Sequence, residues 1–330
     1  MGPLQGNHTG YRQFKGRRTP ASEITEIYTG LTQSYLTDFD MLLSGYAPSA
    51  EVVNAVGMIA RDLRSRSATK PGHFFWILDP VMGDQGRLYV AEDIVPAYAQ
   101  LIREADLILP NQFEAELLSG VKIQNLTDVA KAVRALHKAF GVPHVVVTSV
   151  TVGAATEEKE KGKGEGNAAQ RSAILTVVGS SQRTDGSARL FTVEVPQLEC
   201  FFSGTGDMFA GLMVARLREA CTHKGLLDRA AWMPGDEVEA VDLPLATATV
   251  KVLSSMQMVL EKTIQARDEE MKNFDRRGPR GGGGEGEGTE SESKRRYLAE
   301  TKATEVRVVR NQKDLAEPED RYKARAWEDL

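Results

Sequence analysis

Cysteine is scarce in this sequence, with two residues, Cys200 and Cys221, in a chain of 330. Two cysteines are too few for the disulfide framework of a small secreted domain or for a cysteine zinc site. The five histidines show no metal-binding spacing, so a histidine metal site is not indicated either. We therefore expect a protein of a reducing compartment, namely the cytoplasm, and a nuclear population could exist in addition.

Long apolar runs and an excess of positive charge are also lacking. No stretch approaches the roughly 20 apolar residues that a membrane-spanning helix needs. The 41 Lys and Arg residues face 46 Asp and Glu residues, and the net charge of −5 gives no overall attraction for nucleic acid. The Gly-x-x-x-x-Gly-Lys-Ser/Thr motif is absent too. These absences argue against a membrane protein, a nucleic-acid-binding protein and a P-loop enzyme.

Apolar runs and amphipathic stretches alternate through most of the chain. Residues 74–78 and 144–148 have the continuous hydrophobicity of strands buried on both faces. Between such runs, apolar residues recur at helical spacing. This alternation predicts an α/β fold of three layers, in which helices cover both faces of a mostly parallel central sheet. Residues 305–309 are expected to add a late edge strand.

Two segments lack the apolar residues that would offset the entropy of ordering them. Residues 156–170 form a Glu/Lys/Gly run, and residues 276–296 include four consecutive glycines among alternating Glu and Gly. We predict that the first is a low-complexity insert and the second a disordered Gly/Glu-rich insert, within a single domain over residues 1–330. Their basic clusters could contact nucleic acid, but we favour solvated linkers.

Polar residues follow the predicted strands, which is where open parallel sheets bind ligands. Asp79 and Asp84 flank a Pro/Gly turn after one buried strand, and paired carboxylates suit a hard cation. Asn111 and Glu114 open a helix after the next strand, where they could reach a metal on a nucleotide. For Asp79 and Asp84 the alternative is an ordinary turn, and for Asn111 and Glu114 it is a helix-capping box. The sequence leaves both alternatives open.

A glycine-rich turn, Gly204-Thr205-Gly206-Asp207, leads directly into a predicted helix. Closely spaced glycines allow backbone amides to approach a phosphate at the positive end of a helix. Asp207 could take a proton from a substrate hydroxyl there, while the amides stabilise charge on a transferred phosphoryl group. The alternative is that Asp207 only complements the helix dipole.

Taken together and in their order along the chain, several motifs resemble those of the pyridoxal kinases, in the ribokinase-like superfamily. The motifs are Asn7-His8-Thr9-Gly10-Tyr11, Ser44-Gly45-Tyr46, Asp79-Pro80-Val81-Met82-Gly83-Asp84, the run from Pro110 to Gly120, and Gly204-Thr205-Gly206-Asp207. The resemblance implies a ribokinase-like fold. It also implies ATP-dependent phosphorylation of the 5′-hydroxymethyl group of pyridoxal, pyridoxine or pyridoxamine.

The resemblance further implies roles for individual residues, of which Asp207 matches the catalytic base. The anion hole for the phosphoryl group is matched by Gly204, Thr205 and Gly206. The ATP and metal side is matched by Asp79, Asn111, Glu114 and Thr148. Among the metal positions, Glu114 matches the magnesium shell, whereas Asp84 and Thr148 match positions near a monovalent cation, K⁺. Contacts with the B6 vitamer are matched by His8, Thr9, Phe14 and Tyr46.

Other features follow from the same resemblance. Tyr89 falls in a flap over the reacting groups, and the implied partners are ATP, Mg²⁺, the B6 vitamer and a second copy in a homodimer. Family members begin with a strand–helix–strand unit of about 30 residues or more, whereas six residues precede Asn7 here. We expect the fold to lack this unit, either because the natural chain is longer or because a short form with weak or no activity exists.

Two other functions stay open at this point. The first is a hydroxymethylpyrimidine kinase of the same superfamily, which would phosphorylate the pyrimidine faster than pyridoxal. The second is a pseudokinase that binds a B6 vitamer or a nucleotide without turnover, because the first strand is missing. The proposed phosphoryl-transfer residues are all present, which argues against loss of the site itself.

Overall fold

A computed structural model describes residues 4–6, 9–69, 72–151, 173–277 and 288–327 of the protein. Its strands are β1 (Leu4–Gly6), β2 (Gly16–Arg18), β3 (Met41–Ser44), β4 (Phe75–Leu78), β5 (Gly83–Asp84), β6 (Arg87–Leu88), β7 (Leu107–Ile108), β8 (His144–Val150), β9 (Ile174–Gln182), β10 (Ala188–Pro196) and β11 (Arg325–Ala326). Its α-helices are α1 (Ala21–Gln33), α2 (Ala50–Arg66), α3 (Ile94–Leu101), α4 (Gln112–Ser119), α5 (Leu126–Phe140), α6 (Thr205–His223), α7 (Pro244–Arg276), α8 (Gly288–Ala303) and α9 (Gln312–Ala316).

Seven of the strands form one central sheet in the order β11-β10-β9-β8-β7-β4-β3. Neighbouring strands from β3 to β8 are parallel, and those from β8 to β11 are antiparallel. Strands β3, β4, β7, β8 and β10 therefore point one way, and β9 and β11 point the other. The prediction of a mostly parallel sheet is confirmed.

Side chains alternate along the strands between two helical layers, as in β4, all of whose residues are buried. Trp76 and Leu78 pack into a core shared with α1 to α5, whereas Phe75 and Ile77 pack into a core shared with α6 and α7. Because both faces of the sheet are covered, its strands are continuously apolar in sequence. The predicted three-layer α/β architecture is confirmed.

Two predictions about the later part of the chain are wrong. Residues 305–309 form no strand; β11 occupies that edge of the sheet, where Arg325 pairs with Thr192 of β10. Disorder over residues 276–296 is contradicted for 288–296, which begin α8. This helix packs against α7, where Arg296 pairs with Asp275 at 2.6 Å. Residues 278–287 and the predicted insert 156–170 lie outside the described residues.

The membrane prediction can be compared with the helices that the structure describes. None of them combines the length and the apolar character that crossing a bilayer requires. The longest, α7, has 33 residues, but it carries charged side chains along its second half and one buried face against the sheet. Its length therefore serves packing within the fold.

Candidate active site

A cavity of about 650 Å³ opens at the carboxyl ends of β4, β7 and β8. Residues at or just beyond these strand ends form one side of it, and the N-terminus of α6 forms another. Its volume is in the range of small-molecule sites. Many of the residues predicted from the sequence line this one cavity: Asp79, Asp84, Tyr89, Asn111, Glu114, Thr148, Gly204, Thr205, Gly206 and Asp207.

The glycine-rich turn forms the first turn of α6. Gly204 adopts a φ of 83°, in the left-handed region that glycine tolerates best, and immediately precedes the helix. The next three residues, Thr205 to Asp207, lie at the helix start, where backbone N–H groups have no partner within the helix. Asp207 is exposed and lines the cavity. The turn therefore presents amide donors, a helix dipole and one carboxylate to the same space.

Glu114 connects α4 with the loop that follows β4. Its carboxylate accepts hydrogen bonds from the backbone amides of Asn111 at 2.9 Å and Met82 at 2.8 Å, and a longer one from Gly83 at 3.4 Å. The Asn111 side chain completes a capping box with Glu114 and also donates to the Gly83 carbonyl at 2.7 Å. The capping alternative is therefore realised, and the same two side chains also line the cavity.

Carboxylates are concentrated on the strand side of the cavity. Burial, together with the nearby charges of Glu114 and Asp207, raises the pKa of Asp79 well above its usual range. Burial also raises the pKa of Glu114 to about 7, even though its three amide donors act in the opposite direction. No hydrogen-bond donor or cation contacts the Asp79 carboxylate among the residues that the structure describes. This corner of the cavity therefore lacks a countercharge.

The predicted flap is a small hairpin at the mouth of the cavity. β5 and β6 pair antiparallel, and the Tyr89 amide then bonds to the Met82 carbonyl at 2.9 Å. Gly83 is needed at the base of the hairpin, because a Cβ atom there would lie 2.2 Å from the Arg87 carbonyl oxygen. Tyr89 is 60% exposed and lines the cavity. Partial burial and the charges of Asp84 and Glu114 raise its pKa.

The described residues that match vitamer contacts do not line the cavity. Tyr46 follows β3 and is half-buried, while Phe14 is 39% exposed; both lie outside the cavity wall. Thr9 begins a short 3₁₀ turn that packs against α8, where the Tyr297 hydroxyl donates to the Gly10 carbonyl. His8 lies outside the described residues. The structure thus groups the nucleotide side more closely than the vitamer side.

An apolar part of the wall is formed by residues that the sequence analysis did not single out. It comes from the loop after β10 and from the middle of α7, and includes Leu198, Met256 and Leu260. In the sequence, the α7 residues recur at helical spacing like any core-facing side chains. Only the packing of α7 beside the loop shows that part of its apolar face borders a cavity.

Comparison of the sequence with known proteins finds relatives of one kind. The family model described as phosphomethylpyrimidine kinase matches residues 52–225. Human pyridoxal kinase is 31% identical over 268 residues, which cover 78% of this chain and 73% of that protein. A pyridoxal kinase homologue of Schizosaccharomyces pombe is 37% identical over 219 residues, which cover 66% of this chain. The chain spans 63% of the length of that homologue.

Solved structures that resemble the fold of this chain are also pyridoxal kinases. Pyridoxal kinase from Leishmania donovani in complex with ADP superposes with a TM-score of 0.71 at 26% identity, over 99% of this chain and 89% of that one. The same enzyme with ADP and pyridoxamine superposes equally well, with a TM-score of 0.71 over 99% of this chain and 88% of that one. The similarity therefore includes the fold on which the described cavity is built.

Proposed function

Because the chain belongs to the pyridoxal kinase family, we propose that it transfers the γ-phosphoryl group of ATP to the 5′-hydroxymethyl group of pyridoxal, pyridoxine or pyridoxamine. The observation that carries the proposal is the shared cavity, in which Asp207 and the amides of α6 face the carboxylates of Asp79 and Glu114. Phosphoryl transfer needs positioned reactants and stabilised charge more than covalent chemistry, and this arrangement provides both.

Asp207 is the proposed general base. Its carboxylate accepts the proton of the 5′-hydroxyl as the oxygen attacks the γ-phosphorus and the bond to the ADP leaving group breaks. Asp207 is exposed to the cavity from the first turn of α6, so a bound hydroxymethyl group has access to it. The amides of Thr205 and Gly206 lie beside it and stabilise the negative charge on the transferred group.

A divalent cation fits the acidic side of the cavity. Asp79, Asp84 and Glu114 offer oxygen donors, which suit Mg²⁺, and the Asp79 carboxylate has no partner among the described side chains. No group of three or more His, Cys, Asp or Glu in the described ranges is arranged to hold a metal by itself. Mg²⁺ commonly keeps waters and substrate phosphates as ligands, so a partial donor set suffices. When bound, it would neutralise phosphate charge.

A monovalent cation, K⁺, is proposed beside Asp84 and Thr148, which both line the cavity. The Thr148 amide bonds to the Pro110 carbonyl at 3.0 Å, which fixes the end of β8 against the loop that carries Asn111. Replacing K⁺ by tetramethylammonium at constant ionic strength should lower turnover. Unchanged turnover would remove K⁺ from the proposal without affecting the assignment of the phosphoryl acceptor.

A second candidate function is phosphorylation of a hydroxymethylpyrimidine, since the matching family model is described as phosphomethylpyrimidine kinase and so names a pyrimidine of the same series. Both acceptors present a hydroxymethyl group on a nitrogen heterocycle, and the described cavity accommodates either by volume. Rates of ADP formation with the pyrimidine and with pyridoxal, measured under the same conditions, decide between them. A higher kcat/KM for the pyrimidine would overturn the vitamer assignment.

The central test is the turnover of Asp207→Asn. Loss of the base should lower kcat for pyridoxal phosphate formation by about 10²- to 10⁴-fold, while the Kd for ADP stays within about threefold. Asp38→Asn is the matched control. Asp38 is exposed in the loop before β3, and so lies at the amino end of that strand, whereas the cavity lies at the carboxyl ends of the parallel strands. Near-normal turnover of Asp207→Asn would contradict its role. A wild-type chain that binds both ligands without turnover would support the pseudokinase alternative.

We also propose that the protein acts as a cytoplasmic homodimer. The reducing compartment is supported by the two free cysteines, Cys200 and Cys221. The dimer is supported by the family to which the chain belongs. Light scattering after size-exclusion chromatography measures the assembly state, and fractionation of cells that express a tagged chain measures the location. A monomer at micromolar concentration would contradict the dimer.

A further inference from the structure

The turn after β3 is held in place by two buried aromatic side chains. The indole Nε1 of Trp76, on β4, donates to the Ser44 hydroxyl at 2.9 Å. The hydroxyl of Tyr98, on α3, donates to the Gly45 carbonyl at 2.8 Å. Trp76 is fully buried and Tyr98 is 1% exposed, so both hydrogen bonds start from rings fixed in the core. The last residue of β3 and the first residue after it are therefore each held by one of these rings.

Tyr98 is placed to fix Tyr46 in particular. Its hydroxyl donates to the carbonyl of Gly45 and interacts with the backbone amide of Ala47, the residues on either side of Tyr46. The carboxylates of the cavity also affect this hydroxyl electrostatically. Burial raises the pKa of Tyr98, and the charges of Asp79 and Glu114 raise it further. The Tyr98 hydroxyl thus bonds to the backbone that carries Tyr46, and the carboxylate charges of the cavity affect its pKa.

The position of this turn in the sheet makes the anchor necessary. Among the described strands, β3 pairs only with β4, so a neighbouring ladder holds its backbone on one side alone. Beyond Ser44, whose carbonyl accepts from the Asp79 amide at 2.8 Å, the ladder ends. The next backbone carbonyl along the chain, that of Gly45, instead accepts a hydrogen bond from the Tyr98 hydroxyl.

We propose that Tyr98 is a positioning residue for the phosphoryl acceptor: it sets the backbone of Gly45 and Ala47 so that Tyr46 contacts the B6 vitamer. The inference rests on the proposed function, and it concerns the vitamer side of the site. Tyr98 lies on α3, which begins shortly after the flap residue Tyr89 in the chain. The flap and the turn at Tyr46 are therefore both attached to α3. Tyr98 donates its hydrogen bond to the turn that carries Tyr46, whereas the residues matched to the ATP and metal side line the cavity from other elements, namely the loops after β4 and β7, α4 and β8.

Tyr98→Phe tests the inference, because it removes the hydroxyl and keeps the ring in the core. The Kd and the KM for pyridoxal should rise about three- to tenfold, whereas the Kd for ADP and the KM for ATP should change by less than about twofold. The matched control is Tyr28→Phe, which removes a buried hydroxyl that donates to Asp62 between α1 and α2. This control should leave both sets of constants unchanged.

A double-mutant cycle with Tyr46→Ala decides whether Tyr98 acts through Tyr46. If it does, adding Tyr98→Phe to Tyr46→Ala should change the Kd for pyridoxal by less than about twofold. An equal effect of Tyr98→Phe in both backgrounds would overturn the inference, as would equal changes in the pyridoxal and nucleotide constants. The Kd measurements separate the two proposals: a wild-type chain that binds pyridoxal without turnover contradicts the kinase alone, whereas one that binds no pyridoxal overturns both.

Discussion

The carboxylate of Glu114 illustrates how one side chain can serve both the fold and the site. It accepts hydrogen bonds from the amides of Asn111, Met82 and Gly83 and is almost fully buried. Buried carboxylates are costly unless such donors satisfy them. Here the donors belong to the helix start and to the flap loop, so the same contacts that satisfy Glu114 also fix the position of Asp84 at the mouth of the cavity.

At the residue scale, Gly204→Ala should impair catalysis through the backbone. A left-handed φ of 83° costs a residue with a Cβ atom about 1 kcal/mol, although nothing lies within 4 Å of an added Cβ atom at this position. Relief of that strain would shift the amides of Thr205 and Gly206, so kcat should fall about tenfold or more. Steady-state kinetics and urea unfolding measure the two effects separately.

The control for Gly204→Ala is Gly225→Ala. Gly225 follows the other end of α6 with a φ of 65°, and nothing lies within 4 Å of an added Cβ atom there either. Its free energy of unfolding should fall by a similar amount, about 1 kcal/mol, with kcat unchanged. Equal losses of kcat in the two variants would show that strain anywhere in α6 lowers activity, contrary to the proposed role of the phosphate turn.

At the scale of elements, buried histidines join the strands to their neighbours. His144 of β8 contacts the Ser181 hydroxyl at 2.8 Å and the Ala231 carbonyl at 2.8 Å. His137 of α5 contacts the Ser180 hydroxyl at 2.9 Å and the Val142 carbonyl at 2.7 Å. A neutral imidazole satisfies one donor and one acceptor in each case. All four contacts are with protein groups, so both ring nitrogens of each histidine serve to join elements of the fold.

Acid should therefore destabilise the protein through these histidines. Burial lowers the pKa of His144 to about 4 and also lowers the pKa of His137. The unfolded chain binds the proton more tightly, with a pKa near 6.5, so the stabilisation is complete above that pH and is lost as the pH falls toward 4. His144 alone should account for a loss of up to about 3 kcal/mol in the free energy of unfolding.

Urea unfolding between pH 7.5 and 4.5 measures this dependence. His144→Asn should show a shallower fall of the free energy of unfolding than the wild type, whatever its stability at neutral pH. His223→Asn is the matched control, because His223 is exposed at the end of α6, whereas His144 is buried. Parallel pH profiles for wild type and His144→Asn would contradict the prediction.

At the scale of the whole molecule, β3 is an edge strand of the central sheet that the described residues form. Within the described ranges this strand pairs only with β4, and Leu43 on it is 39% exposed. The segment before it also exposes apolar side chains, with Leu36 59% and Phe39 45% accessible. Unpaired backbone groups beside apolar side chains favour association with other chains. The opposite edge, β11, has only two residues and offers less backbone to a partner.

Leu43→Lys should therefore reduce self-association of this chain. A lysine on an edge strand disfavours pairing with a second strand, whereas its effect on the fold should be small because Leu43 is already partly exposed. We expect a lower rate of aggregation on mild heating, measured by light scattering, with the unfolding midpoint changed by a few degrees at most. Ile174→Lys, an equally apolar change on the inner strand β9, should leave the aggregation rate unchanged.

Much of the candidate site could be predicted because its residues occupy positions with a local signature. Asp79 and Asn111 directly follow apolar strands, and Asp207 follows closely spaced glycines. The apolar wall from α7 could not be predicted, since residues such as Met256 share the spacing of core residues. The α8 helix was missed for a related reason: its contacts with α7, including Arg296 with Asp275, involve residues across an insert whose composition indicates disorder.

Sequence alone determined the α/β class, the alternation of strands and helices around β4, β7 and β8, and the turn that ends in Asp207, because these depend on apolar periodicity and on glycine spacing within short windows. The tertiary structure decided which residues share a cavity, what pKa values their side chains have and which contacts hold them in place. The pKa of Asp79 depends on burial and then on the charges of Glu114 and Asp207, and the turn at Tyr46 is hydrogen-bonded by Tyr98. Burial and electrostatic coupling act through space between residues far apart in the chain, so no local pattern encodes them.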